Sequence, residues 1–189
     1  MKSRWIPDDD LNAIMARLNS ADRWIVRLLK QTGYRIDDVL HTRWWQWMGE
    51  QIEVKERKTG NIRRVAISPE IRRIVDQYRG CVSGVHPLRY FVPGRRGRPG
   101  DRAKVHRTTI WRHFQKAIRE AGMSGKGYTL HSLRKCYAVD QLRKTGSYER
   151  VQADLGHRYL STTLIYLQDA LTLREPCNGF QNVAGKEEG

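Results

Sequence analysis

One stretch of this chain abandons the period that the rest keeps. Apolar residues first recur three and four apart, as Leu11, Ile14, Met15 and Leu18 and then as Trp24, Ile25, Leu28 and Leu29. That spacing lays one apolar stripe on each of two helices. The first should follow Pro7, with Asp8, Asp9 and Asp10 at its positive end, and the second should stop at Gly33. A short third helix begins near Arg35 and runs through Val39 and Leu40. Then comes WWQWMGEQIEVKERKTGNIRRVAIS, rich in β-branched residues and broken at Gly49-Glu50 and Thr59-Gly60-Asn61. This predicts a small antiparallel sheet of three strands. Helical spacing returns after Ser68-Pro69-Glu70 with Ile71, Ile74, Val75 and Tyr78, and again over about 105–121, 130–144, 147–154 and 160–168. Residues 80–103 read as a long loop of Gly, Pro and Arg. The predicted class is α+β, mostly α-helical, with one small sheet inserted after the third helix.

With 189 residues, 39% of them hydrophobic, the chain can bury one core and hardly two. No internal repeat or Pro/Ser-rich linker divides it. The expected organisation is one domain over 1–180 and a loose tail over 181–189. The N-terminus MKSRWIPDDD lacks the apolar core of a signal peptide, and no apolar run approaches the ~20 residues of a membrane span. Cys81, Cys136 and Cys177 are odd in number and far apart, with no metal-ligand spacing. They point to free thiols in a reducing cytoplasm and give no sign of a zinc site; no cofactor is expected.

Charge narrows the partner. Thirty-five Lys and Arg against 20 Asp and Glu leave a formal net charge of +15. Such an excess selects a polyanion, nucleic acid before membrane. The cations concentrate in two places. The predicted hairpin carries Lys55, Arg57, Lys58, Arg63 and Arg64. The loop PGRRGRPGDRAKVHR carries Arg95, Arg96, Arg98, Arg102, Lys104 and Arg107. Arg112, on the following helix, lies off its apolar face. Of these, Lys55, Arg63, Arg64, Arg95, Arg96, Arg98, Arg102, Lys104, Arg107 and Arg112 are the expected contacts to duplex DNA, made largely through phosphate.

Breaking a phosphodiester without a metal needs three things: a nucleophile, fixed cations on the non-bridging oxygens, and an acid for the leaving oxygen. Arginine suits the second because its planar fork meets phosphate bidentately and stays charged. The chain offers Arg35 in TGYRIDD, His131 and Arg134 in TLHSLRK, His157 in LGHRY, and Tyr166 nine residues beyond His157. Lys58 precedes the Thr59-Gly60 turn, where it would project from a hairpin tip. His131 and Arg134 are spaced to share one helix face. Tyr137, Tyr148 and Tyr159 are read as packing residues.

In this order the residues resemble the tyrosine recombinase, or phage integrase, family. The likeness runs from TGYRIDDVLHTRW at Arg35, with an acid at Asp38, through Lys58 in KTGNIRRVAIS and the H-x-x-R of His131 and Arg134. It ends in Leu155-Gly156-His157 and in Ser161-Thr162-Thr163 with Tyr166. Many relatives carry glutamate where this chain has the shorter Asp38. The resemblance implies that Tyr166 attacks a scissile phosphate and forms a 3′-phosphotyrosine. Arg35, Arg134 and His131 would neutralise its oxygens with help from His157, and Lys58 would protonate the 5′-oxygen. It implies that Thr162-Thr163 open the tyrosine's helix, and that no ATP or metal takes part.

The resemblance also implies a homotetramer on DNA, linked by C-terminal segments, here after about Ala170 with Leu171, Leu173 and Phe180 docking. The 34 residues before Arg35 leave no room for the family's separate N-terminal DNA clamp. The chain is therefore a naturally short recombinase or a piece of a longer one, with weaker DNA affinity expected and a monomer allowed in solution. Three rivals remain: a type IB topoisomerase-like relaxase or telomere resolvase, a non-catalytic DNA-binding regulator, and an RNA-associated basic protein.

Overall fold

Helix order follows the apolar periodicity. The computed structural model describes residues 3–94 and 104–172, with side chains to Gln168. Helix α1 (Asp8–Met15) starts behind Pro7 and buries Leu11, Ile14 and Met15. Helix α2 (Ser20–Thr32) is capped by the Asn19 side chain, which accepts from the Asp22 N–H, and ends at Gly33 in the left-handed region, φ 62°. Helix α3 (Ile36–Leu40) follows. After the sheet, Ser68 accepts from the Ile71 N–H and Pro69 opens helix α4 (Pro69–Gly80). Its buried residues are the expected Ile71, Ile74, Val75 and Tyr78. Helices α5 (Arg107–Glu120), α6 (Ser132–Thr145), α7 (Tyr148–Leu155) and α8 (Leu160–Thr172) complete the order.

The sheet has two strands among the described residues, not the three expected. Strand β1 (Gln51–Lys55) pairs antiparallel with β2 (Ile62–Ala66), Gln51 facing Ala66 and Lys55 facing Ile62. The tryptophan run, expected to begin a strand, is a 3₁₀ helix, Trp44–Trp47. Its two buried residues, Trp44 and Trp47, lie three apart, and both rings pack on Phe91 at 4.7 and 4.9 Å. A strand would have sent residues three apart to opposite faces. The Trp44 and Trp45 amides donate to the Arg89 and Pro87 carbonyls, and pairing shrinks to one bridge, Arg43 with Tyr90.

The chain divides into two compact units, Met1–Tyr137 and Ala138–Gly189, with the boundary inside α6. In the first, α2 packs on α4, α1 and α3 on α5, and α3 on β1. Tyr34 anchors the hairpin from below, its hydroxyl donating to the Ile52 and Arg63 carbonyls. In the second, α7 packs on α8. Among the described residues no helix is long and apolar enough to cross a membrane.

Candidate active site

In the first unit the site is built on the end of α2. Gly33 turns the chain left-handed, and Arg35 follows at the N-cap of α3 with extended backbone. A Cβ at Gly33 would come within 2.5 Å of the Tyr137 ring, so both φ and space demand glycine there. The Gly33 carbonyl accepts from Arg134 Nη1 at 2.7 Å. Arg134, in the first turn of α6, is 1% exposed. His131 lies in the turn before α6 rather than in the helix. The pair therefore does not share one helix face as the spacing suggested. Both instead line a cavity of about 320 Å³ with Tyr34, Arg35, Arg107 and Trp111.

Two acids sit behind these arginines. Asp38 is buried, and its carboxylate accepts from the Arg57 N–H at 3.0 Å. Its other oxygen stops 3.8 Å from Arg35 Nη1. Glu56 reaches further, with Oε1 2.6 Å from Arg35 Nη1 and 3.3 Å from Arg134 Nη1. Burial opposes ionisation of both. For Asp38 burial prevails and its pKa is raised. For Glu56 the two arginines and the Thr59 hydroxyl outweigh burial, and its pKa is lowered. The sequence reading missed Glu56. The signal was the two-residue alternation of Ile52 and Val54, which carries the inward register on to residue 56.

Lys58 is exposed in the hairpin turn, as expected, and its charge acts on His131. Desolvation first, then Arg134, Arg35, Lys135 and Lys58, push the His131 pKa down to about 4. At neutral pH His131 is uncharged, so it offers hydrogen bonds and not the positive charge the resemblance suggested.

The second unit holds the remaining pair. Gly156 ends α7 in the left-handed region, φ 64°, and delivers His157, whose carbonyl accepts from Gln152 Nε2 at 3.0 Å. His157 Nδ1 and Thr163 Oγ1 share a hydrogen bond of 3.0 Å, and Thr163 is fully buried. The His157 and Tyr166 rings meet edge-to-face with centroids 4.8 Å apart. Thr162 and Thr163 do not open α8, which starts at Leu160. Thr163 sits inside the helix, where it orients His157.

The expected DNA contacts divide. Lys55, Arg64, Arg107 and Arg112 are exposed, Arg64 pairing with Glu53 at 2.7 Å and Arg107 with Asp37 at 3.0 Å. Lys104 is half-buried in a bridge with Pro93. Arg63 is a correction. It is 6% exposed, donates to the Thr32 carbonyl at 2.6 Å, and stacks over the Tyr34 ring at 4.6 Å and the Tyr137 ring at 5.3 Å. The β2 register turns it inward, so it holds the hairpin to α2 and cannot meet a phosphate. Arg95, Arg96, Arg98 and Arg102 lie outside the described residues, as do Leu173, Phe180 and the side chain of Leu171. Among the described residues no group of three or more His, Cys, Asp and Glu could hold a metal ion.

The family model for the phage integrase family matches residues 4–172. The chain is similar to the tyrosine recombinase XerC of Chlamydia caviae, 28% identical over 159 residues, covering 82% of this chain and 49% of that protein. It is also similar to the tyrosine recombinase XerA of Pyrococcus furiosus, 30% identical over 172 residues, covering 88% and 58%. The chain thus spans about half the length of the curated relatives it matches. Its fold is similar to that of a lambda integrase tetramer bound to a Holliday junction, with TM-score 0.72 at 22% identity over 88% of this chain and 48% of that one. The lambda integrase catalytic core gives TM-score 0.64 at 22% identity, covering 82% and 92%.

Proposed function

The chain belongs to the phage integrase family, and from that premise we propose that it is the catalytic part of a site-specific DNA recombinase, cleaving and rejoining duplex DNA through a 3′-phosphotyrosine. The observation that carries this reading is the Arg35, His131 and Arg134 cavity, two guanidiniums and a neutral imidazole opening on one space large enough for a phosphodiester.

In the proposed reaction the Tyr166 hydroxyl loses its proton to solvent, its oxygen bonds to phosphorus as the phosphorus–O5′ bond breaks, and Lys58 delivers a proton to the departing O5′. A free tyrosine has a pKa of about 10, so roughly one in a thousand is phenolate at neutral pH. Arg35 and Arg134 stabilise the charge gathering on the non-bridging oxygens, an electrostatic role fixed guanidiniums fill without a metal. Neutral His131 hydrogen-bonds the same oxygens. His157, oriented by Thr163, sits against the attacking ring. One ester replaces another, so the bond energy is conserved and a 5′-hydroxyl from a second strand reverses the step.

Residues 1–180 act as the catalytic domain, with 181–189 as a tail. The exposed Lys55, Arg64, Arg107 and Arg112, with half-buried Lys104, serve phosphate contacts, and the sequence supplies Arg95, Arg96, Arg98 and Arg102 as further cations for the same role. The assembly is a homotetramer on two duplexes, in the cytoplasm where the chromosome lies. A relaxase outcome keeps the same residues and differs only in which 5′-hydroxyl completes the second step.

The test is covalent trapping on a pool of nicked duplexes without metal or ATP. Wild-type protein should carry a 3′-linked DNA adduct through denaturation, and Tyr166→Phe should carry none while still binding DNA. An adduct in Tyr166→Phe would take the nucleophile's role from Tyr166, and none in wild type would favour a non-catalytic binder.

A further inference from the structure

Glu56 is a buried carboxylate for which the reaction above has no part. On β1 the inward positions Ile52 and Val54 are aliphatic, and at the next inward position the chain puts an acid, 1% exposed. Burying a carboxylate is costly unless it is paired and hydrogen-bonded, so its partners indicate its use. Oε1 faces Arg35 at 2.6 Å and Arg134 at 3.3 Å. Oε2 accepts from the Thr59 hydroxyl at 2.9 Å. Its backbone carbonyl accepts from the Gly60 N–H, and its own N–H donates to the Asn61 carbonyl, both at 2.8 Å. One residue thus joins the guanidiniums from α3 and α6 to the turn that carries Lys58.

The neighbouring acid does not do this. Asp38 spends Oδ1 on the Arg57 N–H, while Oδ2 is buried, has no hydrogen-bond partner and stops 3.8 Å from Arg35. The shorter side chain falls short of the arginine, and the longer one, just past the end of β1, closes the gap. Two guanidiniums on one cavity repel each other, and an anion between them holds both in place.

We propose that Glu56 is a positioning residue, whose ionised carboxylate fixes the Arg35 and Arg134 guanidiniums as a pair and keys the Lys58 turn to them. The proposal rests on the recombinase reading for the purpose of that pair. Preorganisation of this kind changes rate more than binding, because the cations are already placed where charge develops.

The experiment compares wild type with Glu56→Gln, Glu56→Asp and Glu56→Ala on the nicked-duplex pool in single turnover. Gel shift measures affinity, and ¹⁵N relaxation of the arginine Nε–H groups measures restraint. Glu56→Gln keeps the shape and loses the charge. Glu56→Asp keeps the charge and withdraws it by one methylene. The expected result is about tenfold slower adduct formation in Glu56→Gln and Glu56→Asp, about a hundredfold in Glu56→Ala, affinity within twofold, and a more mobile Arg35 Nε–H at unchanged backbone mobility. Wild-type rate in Glu56→Asp would overturn positioning in favour of charge alone. Rate, affinity and backbone order falling together would reduce Glu56 to a structural role. If wild type forms no adduct, the recombinase reading fails by itself, and the arginine relaxation still decides the proposal: guanidiniums as rigid in Glu56→Gln as in wild type would overturn it.

Discussion

His157 Nδ1 lies 3.0 Å from Thr163 Oγ1, and the hydroxyl that holds it is fully buried. The bond reaches from the segment after α7 into α8, and it turns the imidazole so that its ring meets Tyr166 edge-on. Replacing Thr163 by Val keeps the volume and deletes the bond. Thr163→Val should cost about 1 kcal/mol of stability, the ordinary worth of a hydrogen bond. It should slow adduct formation roughly tenfold by releasing the His157 ring. Thermal melts and single-turnover trapping measure the two separately, and an unchanged rate would leave the bond a packing feature.

Gly33 is the least replaceable backbone position near the arginines. Gly33→Ala meets a positive φ and an occupied space at once. Strain at such a position is of order 1–3 kcal/mol, and displacement of Tyr137 adds to it. The expected outcome is a clear drop in denaturation midpoint at unchanged m-value, with Arg134 loosened because its carbonyl acceptor has moved.

Buried Arg63 and exposed Arg64 stand side by side in sequence and should separate cleanly. Arg63→Ala empties a site between two aromatic rings and should lower stability by roughly 3 kcal/mol, the range for breaking a buried charged network. The salt dependence of DNA binding by the folded protein should be unchanged. Arg64→Ala should leave the melt within about 0.5 kcal/mol and flatten the dependence of log affinity on log salt by about one unit. A salt titration of both variants checks the assignment.

The His131 pKa lies near 4 against an ordinary 6.5. A base whose pKa is depressed by folding binds its proton better in the unfolded chain. Its contribution to stability is fully present above about pH 6.5 and is lost as pH falls from there through about 4. Wild type should lose stability over that window, and His131→Gln should lose less. A histidine ring titration by NMR should show His131 still neutral at pH 5.5.

Much of this protein is legible in the order of its residues. The helices announce themselves because a 3.6-residue period places every third or fourth side chain inward whatever the rest of the chain does. Ser68-Pro69 and Gly33 mark ends because caps act over one turn. The motifs from Arg35 to Tyr166 resemble the family's in order and spacing, and the family match over residues 4–172 agrees. Local rules fail where one residue type has two possible surroundings. Trp44 and Trp47 read as strand residues, but Phe91, more than forty positions on, claims both rings. Arg63 and Arg64 carry the same charge, and only the pairing register of β2 with β1 turns one into the core and leaves the other in water. Glu56 looks like a stray acid in a basic hairpin, because the arginines that make its burial tolerable come from α3 and α6. Period and capping are set within a few residues and so belong to the sequence. The environment of a charge is set by whichever distant segments the fold brings against it, and that is decided by the tertiary structure.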